Sequence, residues 1–167
     1  QLSLRNVTIN LHAFDGQLLS FSDGLATIAN RDGAHYLHAN LSLADSPEEM
    51  ALSIEVTGNE LADMSGQMHV ELPHADYSEL FHRQTLEDLS VGEMLGGGHF
   101  WLTFAGGELS EFTSEFELDT LALLSSASDS LSLRDLSGRV GLVRQSFDDS
   151  WELSLSDMRL TWQELRW

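Results

Sequence analysis

The chain contains no cysteine, which excludes disulfide staples, thiolate metal sites and a thiol nucleophile. Basic side chains are scarce: 8 against 27 acidic ones, for a net charge of −19. Such a surface repels phosphate backbones and anionic membrane surfaces, both of which are normally gripped by clustered cations, so nucleic acid is excluded as a partner. No apolar run approaches the ~18–20 residues that a membrane-spanning helix needs. The chain opens at Gln1 without a leader and closes on Trp167 in an apolar-rich stretch. Both ends read as boundaries inside a longer protein, with any targeting or anchoring segment outside them.

Hydrophobic residues make up 42% of the chain, enough for a folded core rather than disorder. Their spacing is the main signal. Leu2, Leu4, Val7, Ile9 and Leu11 alternate with polar residues, with a one-residue slip at Arg5-Asn6. Alternation places successive side chains on opposite faces of a strand, and a slip predicts a bulge. Leu19, Phe21, Leu25 and Ile28, then Leu37, Ala39, Leu41 and Leu43, then Leu52, Ile54 and Val56, continue the theme. Valine and isoleucine are rare, 6 and 3 against 30 leucines. Pattern rather than β-propensity must therefore specify these strands.

Asp15-Gly16, Asp23-Gly24, Asn30-Arg31-Asp32-Gly33, Ser46-Pro47 and Gly58-Asn59 supply turn chemistry at short intervals, which predicts antiparallel hairpins. After Pro73, Asp76-Tyr77-Ser78-Glu79 has the form of a capping box. Tyr77, Leu80 and Phe81 follow at helical spacing, so a short helical insertion is expected at about 76–95, ended by Gly96-Gly97-Gly98. The clearest hairpin follows. Phe100, Leu102 and Phe104 share a face, Gly106-Gly107 turns the chain, and Phe112, Phe116 and Leu118 return opposite an acidic face of Glu111, Glu115, Glu117 and Asp119.

One motif recurs without fixed period: Leu2-Ser3-Leu4-Arg5-Asn6, Leu19-Ser20-Phe21-Ser22-Asp23, Leu131-Ser132-Leu133-Arg134-Asp135 and Leu153-Ser154-Leu155-Ser156-Asp157. Apolar–Ser–apolar–x–Asp/Asn repeats point to stacked β units that extend one sheet.

Chemistry is harder to find. His35 and His38 are an odd number apart, so a strand sends them to opposite faces, and His69 and His74 belong to no metal-ligand motif; no metal and no cofactor are expected. The acidic face around Glu115 reads as solvated rather than as a Ca²⁺ site, because same-face ligands on one strand are ~6–7 Å apart. The serines alternate with leucine and sit in no nucleophile elbow, so no catalytic residue is assigned. Trp101, Trp151, Trp162 and Trp167 read as core or rim residues in preference to a carbohydrate platform.

Three segments carry a family resemblance. They are Thr57-Gly58-Asn59-Glu60-Leu61 through Gly66-Gln67-Met68-His69-Val70-Glu71-Leu72, Gly98-His99-Phe100-Trp101-Leu102, and Leu136-Ser137-Gly138-Arg139-Val140 through Arg144 to Trp151-Glu152-Leu153-Ser154-Leu155. The chain resembles the YhdP type of AsmA-like bacterial envelope proteins, whose pattern of a glycine-bounded strand, an Arg, an acidic loop and Trp-x-Leu-x-Leu is kept in Arg144 and Trp151. It departs from that pattern at Phe147 and Ser150, where a glycine-rich approach to the Trp is expected.

The resemblance implies a mainly β fold: one curled antiparallel sheet forming a groove, a single domain over residues 1–167, within a longer repeating β-groove protein. It implies a non-catalytic role in carrying phospholipid across the periplasm, in a protein anchored in the inner membrane. The partners would be phospholipid or another acyl-chain ligand and neighbouring β-groove segments of the parent chain. Exposed sheet edges would favour edge-to-edge self-association. Leu4, Ile9, Leu41, Ile54, Phe100, Leu102, Phe116, Leu133 and Leu155 are the candidate groove residues. The alternative is a closed β-sandwich serving as a binding or adhesion module. The two differ in whether the apolar face is covered from within.

Overall fold

A computed structural model describes residues 1–12, 18–42, 48–78, 85–86, 89–125, 130–145 and 150–162. Ten strands form one antiparallel sheet: β1 (Leu2–His12), β2 (Leu18–Arg31), β3 (Ala34–Ser42), β4 (Glu49–Thr57), β5 (Ser65–Asp76), β6 (Thr85–Leu86), β7 (Leu89–Ala105), β8 (Glu108–Ser125), β9 (Ser130–Arg144) and β10 (Trp151–Trp162). Their spatial order is their order in the chain, except that the two-residue β6 pairs only with β7, which lies beside β5. The sheet is not closed into a barrel: β1 and β10 are its two edges.

Two connections follow directly from sequence. Asp32-Gly33 and Gly106-Gly107 each place two residues at positive φ (52° and 80°, 59° and 78°). That is the type I′ turn whose twist matches a two-residue hairpin. Between β4 and β5, a 3₁₀ turn at Leu61–Asp63 is capped by Asp63, whose Oδ1 accepts from the Glu60 and Asn59 N–H groups at 2.8 and 3.1 Å.

The expected helical insertion is not seen. β5 extends through Asp76, and strand resumes at Thr85 and again at Leu89; residues 79–84 and 87–88 lie outside the described set. The Asp76 carboxylate instead accepts from the Ser78 backbone N–H at 2.9 Å and from the Ser78 hydroxyl. Tyr77 turns inward, 1% exposed, with its hydroxyl donating to the Pro73 carbonyl at 2.6 Å and its N–H to the Met94 carbonyl at 2.8 Å. Ser78 itself has helical geometry, and residues 79–84, on which the rest of the expected helix falls, lie outside the described set.

The recurring motif has a single structural meaning. Asn6, Asp23, Asp135 and Asp157 all have φ between 50° and 55°, and the strand register slips at or beside each of these bulges: in β1–β2 and β2–β3 around Asn6 and Asp23, and in β9–β10 around Asp135 and Asp157. Each motif therefore ends in a left-handed residue within a strand. Asp and Asn tolerate this conformation better than other non-glycine residues. The slip predicted at Arg5-Asn6 is the first of them, whereas Asp23-Gly24, expected as a turn, lies inside β2.

Further irregularities at Leu72/Ala75 and Leu95/Gly96 continue the line across β5, β7 and β8. Bulges bend strands and increase local twist, so this line is where the sheet bends. At Asp135, glycine should be accepted at φ 50° with near-unchanged stability, while alanine costs about 1–2 kcal/mol. Chemical denaturation of the two variants checks this, and equal loss in both would sink the conformational explanation.

Alternation sorts the side chains into two faces. Leu4, Ala26, Ala39, Leu52, Val70, Phe100, Ser114, Val140 and Leu155 are register partners in succession across nine strands. Leu2, Ile28, Leu37, Ile54, Met68, Leu102, Phe112, Leu142 and Leu153 form the next such row. The apolar face is thus continuous from edge to edge.

Among the described residues no second sheet faces it. The buried cluster is small, made of Ala26, Ala39, Leu41 and Met50 with Leu37, Leu52, Val70 and Leu72 against it. Towards the β10 edge, Leu153 and Leu155 are 60% and 59% exposed. The accessible surface of 11447 Å² exceeds the roughly 8,200 Å² of a compact globule of this mass. A packed sandwich core is not present in the described residues.

Candidate functional site: an open apolar face and its polar reverse

Seven of the nine residues singled out from sequence lie in the two rows above or in the third row of the same face. Leu4, Phe100 and Leu155 share the first row, and Ile54 and Leu102 the second. Phe116 lies between Gly98 and Gly138, and Leu41 opposite Met50. The other two lie beyond bulges: Leu133 is paired with Leu121 and Trp162, and the Ile9 backbone with Phe21.

Exposure separates these positions further. Leu41 is 2% exposed and belongs to the core, whereas Leu4 and Leu155 are open to solvent. Sequence could not make that division, since alternation reports the face of a strand and not what covers it.

The polar face carries its own order. His38 donates to or accepts from Ser53 Oγ at 2.8 Å, while His35 lies on the other face near Asn30 and the Gly58 carbonyl, as the odd spacing requires. His69 Nε2 and His99 Nδ1 are 3.3 Å apart, close enough to share one N–H. Glu115 pairs with Arg139, Glu108 with Arg144, and Asp119 with His74 at 3.0 Å. Such exposed pairs are worth little individually. No group of three or more potential ligands among the described residues is placed to hold a metal.

The His74–Asp119 pair joins β5 to β8 over the intervening β7. Gly96, Gly97 and Gly98 make this approach possible. A Cβ on Gly97 would lie 2.6 Å from the Leu72 carbonyl oxygen, and one on Gly98 2.5 Å from that of Glu115. Read from sequence as a helix stop, the three glycines are instead the close-packed centre of the bend. The missed signal was their position directly before an alternating strand.

Trp101, read from sequence as a core or rim residue, lies on the polar face, as its place between Phe100 and Leu102 requires. It stacks with His69 and His99 there, at centroid distances of 5.1 and 5.7 Å.

The segment through Arg144 and Trp151 acquires a geometric reason. Arg144 and Trp151 are direct partners across β9–β10, followed by Leu153 opposite Leu142 and Leu155 opposite Val140. The Arg and the Trp-x-Leu-x-Leu run are therefore the two arms of one hairpin. No helix among the described residues is long and apolar enough to cross a membrane. Comparison with curated proteins and with solved structures returns no match. A family profile described as YhdP protein matches residues 1–167. With an open β-sheet and a match over its full length, the chain belongs to the YhdP family of AsmA-like bacterial envelope proteins.

Proposed function

We propose that this chain is a non-catalytic segment of a periplasmic lipid-transfer bridge, held by a parent protein in the inner membrane. The observation that carries the reading is the apolar face, continuous across nine strands, with no second sheet over it among the described residues and open to solvent towards its edges. An acyl chain laid on such a face gains roughly 0.8 kcal/mol per buried CH₂, while its head group stays in water. Transfer of this kind needs no bond making, and the serines and carboxylates need play no chemical part.

Native mass spectrometry of the purified chain, with a fluorescent fatty-acid probe, tests the reading. Wild type should retain phospholipid and take up probe. Leu155→Asp, at a solvent-exposed position, should keep the fold within about 0.5 kcal/mol and weaken probe uptake about tenfold or more, because a carboxylate on the groove wall must be desolvated. Glu152→Gln, on the reverse face, should leave uptake unchanged. Wild-type protein that holds neither lipid nor probe would end this reading.

The open edges support a second expectation about partners. Among the described residues β1 and β10 each present one unpaired side, and both carry the same bulged motif. Neighbouring β segments of the parent chain are the proposed occupants. In the isolated chain, a second copy should pair there, giving concentration-dependent association by sedimentation. Arg inserted at Leu153 should suppress it, and a monomer at all concentrations would count against edge pairing.

A further inference from the structure

The lipid reading uses only one side of the sheet. On the other, Trp101, 36% exposed, lies within 20° of parallel with both His69 and His99, and the two imidazoles are within 6° of each other. Cross-strand stacking of this kind stabilises a sheet by itself. Here, however, His99 is also the boundary of a groove of about 640 Å³, within the size range of small-ligand sites. The groove lies on the line of bulges. It is lined by Gly97, Gly98 and Gly138, by Glu115, Glu117, Arg139 and Arg159, and by Leu72 and Phe116.

The chemistry of that lining is selective. The chain carries net −19, yet in the groove Arg139 and Arg159 nearly balance Glu115, Glu117 and Asp157. Neither an anion nor a cation is favoured by such a set. Arg139 is paired with Glu115, and the cationic groups are arginines, whose planar forks hold two acceptors at once. A ligand matched to this surface has one flat apolar face for the aromatic rings, many hydroxyls for the mixed polar walls, and no net charge.

We propose that the polar face binds a neutral oligosaccharide, with one sugar ring stacked on Trp101 and its neighbours hydrogen-bonded along the groove. The site rests on different side chains from the acyl-chain reading, Trp101, Glu115, Arg139 and Arg159, although Leu72 and Phe116 also line the groove.

The test is a titration of ¹⁵N-labelled protein with N-acetylglucosamine tetramer and with maltotetraose. It follows the Trp101 indole N–H, assigned through Trp101→Phe. Saturable shifts at Trp101 and the Gly98 amide with either sugar are expected. Trp101→Leu and Arg159→Gln should each weaken binding about tenfold, while Leu155→Asp leaves it unchanged. No saturable shift up to about 10 mM of either sugar, or affinity kept within about twofold in folded Trp101→Leu, would overturn the proposal. Inorganic phosphate that produces the same shifts and competes with the sugar would overturn it too, marking an anion site.

Discussion

Tyr77→Ala should lower the stability of the central strands by about 3–5 kcal/mol, the cost of deleting a buried aromatic ring. Tyr77 is one of the two largest fully buried side chains among the described residues. It plugs the junction where β5 leaves its bulge and meets β7. Its backbone N–H reaches the Met94 carbonyl, and the Met94 N–H returns to Ser78 Oγ at 2.9 Å, so the ring, the turn and the strand stand or fall together. Burial, with the Glu48 carboxylate adding to it, pushes the phenol up to about 12, and the ring stays neutral at any ordinary pH.

Tyr77→Phe removes only the hydrogen bond to Pro73 and should cost about 1 kcal/mol. Urea denaturation separates the two cases: equal losses in Ala and Phe would mean the hydroxyl, and not the ring, matters. The neighbouring Asp76 carboxyl is held below its ordinary 3.8 by the hydroxyl and then the N–H of Ser78. A carboxyl with a depressed folded value contributes stability above its unfolded value and loses it as pH falls. The turn should therefore weaken only below about pH 4.

Gly97→Val should be at least as damaging, for the opposite reason. The new side chain would begin 2.6 Å from Leu72 O and 2.8 Å from Pro73 carbonyl carbon. These are backbone atoms of β5, which cannot rotate out of the way. Overpacking commonly costs 1–3 kcal/mol, and a backbone clash at the centre of the bend should exceed about 3 kcal/mol. Gly33→Asn is the control: nothing lies within 4 Å of its Cβ position, and asparagine tolerates φ 80°. Loss of the β5–β7 amide protection in Gly97→Val, with Gly33→Asn near wild type, is the expected pattern. A stable, native-like Gly97→Val would remove the case for a close-packed glycine strip.

How much of this was legible beforehand depended on distance along the chain. Alternation in Leu37–Leu41 or Phe100–Phe104 reports a local pleat, and the strands and their faces follow from it directly. The Asp-Gly and Gly-Gly hairpins are equally local, since two positive φ values select those residues. Gly96 and Gly98, read as a helix stop, are instead set by distant chain, since their Cβ positions are filled by β8 backbone at Glu117 and Glu115; much of the expected helix lies outside the described residues. The repeated motif was visible as a pattern. Its meaning as a bulge was predicted only at Arg5-Asn6, where the apolar phase visibly slips.

The candidate groove residues show the same limit. Their common face follows from parity, whereas the division between buried Leu41 and open Leu155 depends on how far each lies from an edge. Trp101 needed the reverse argument: a residue between two core positions must face away from them.

Strand order that copies chain order has a further consequence for how this protein melts. Apart from β6, each strand is hydrogen-bonded only to strands next to it in sequence, so few distant contacts tie one end of the sheet to the other. Stability then behaves as a sum of nearest-neighbour terms along a line, and loss of order can begin at either edge and stop partway. Amide protection should decline from β4, β5 and β7 towards β1 and β10 instead of vanishing at one threshold. A partly frayed edge is also an edge that can exchange one neighbouring strand for another, so the same local bonding that limits cooperativity lets segments be joined in series without refolding the middle.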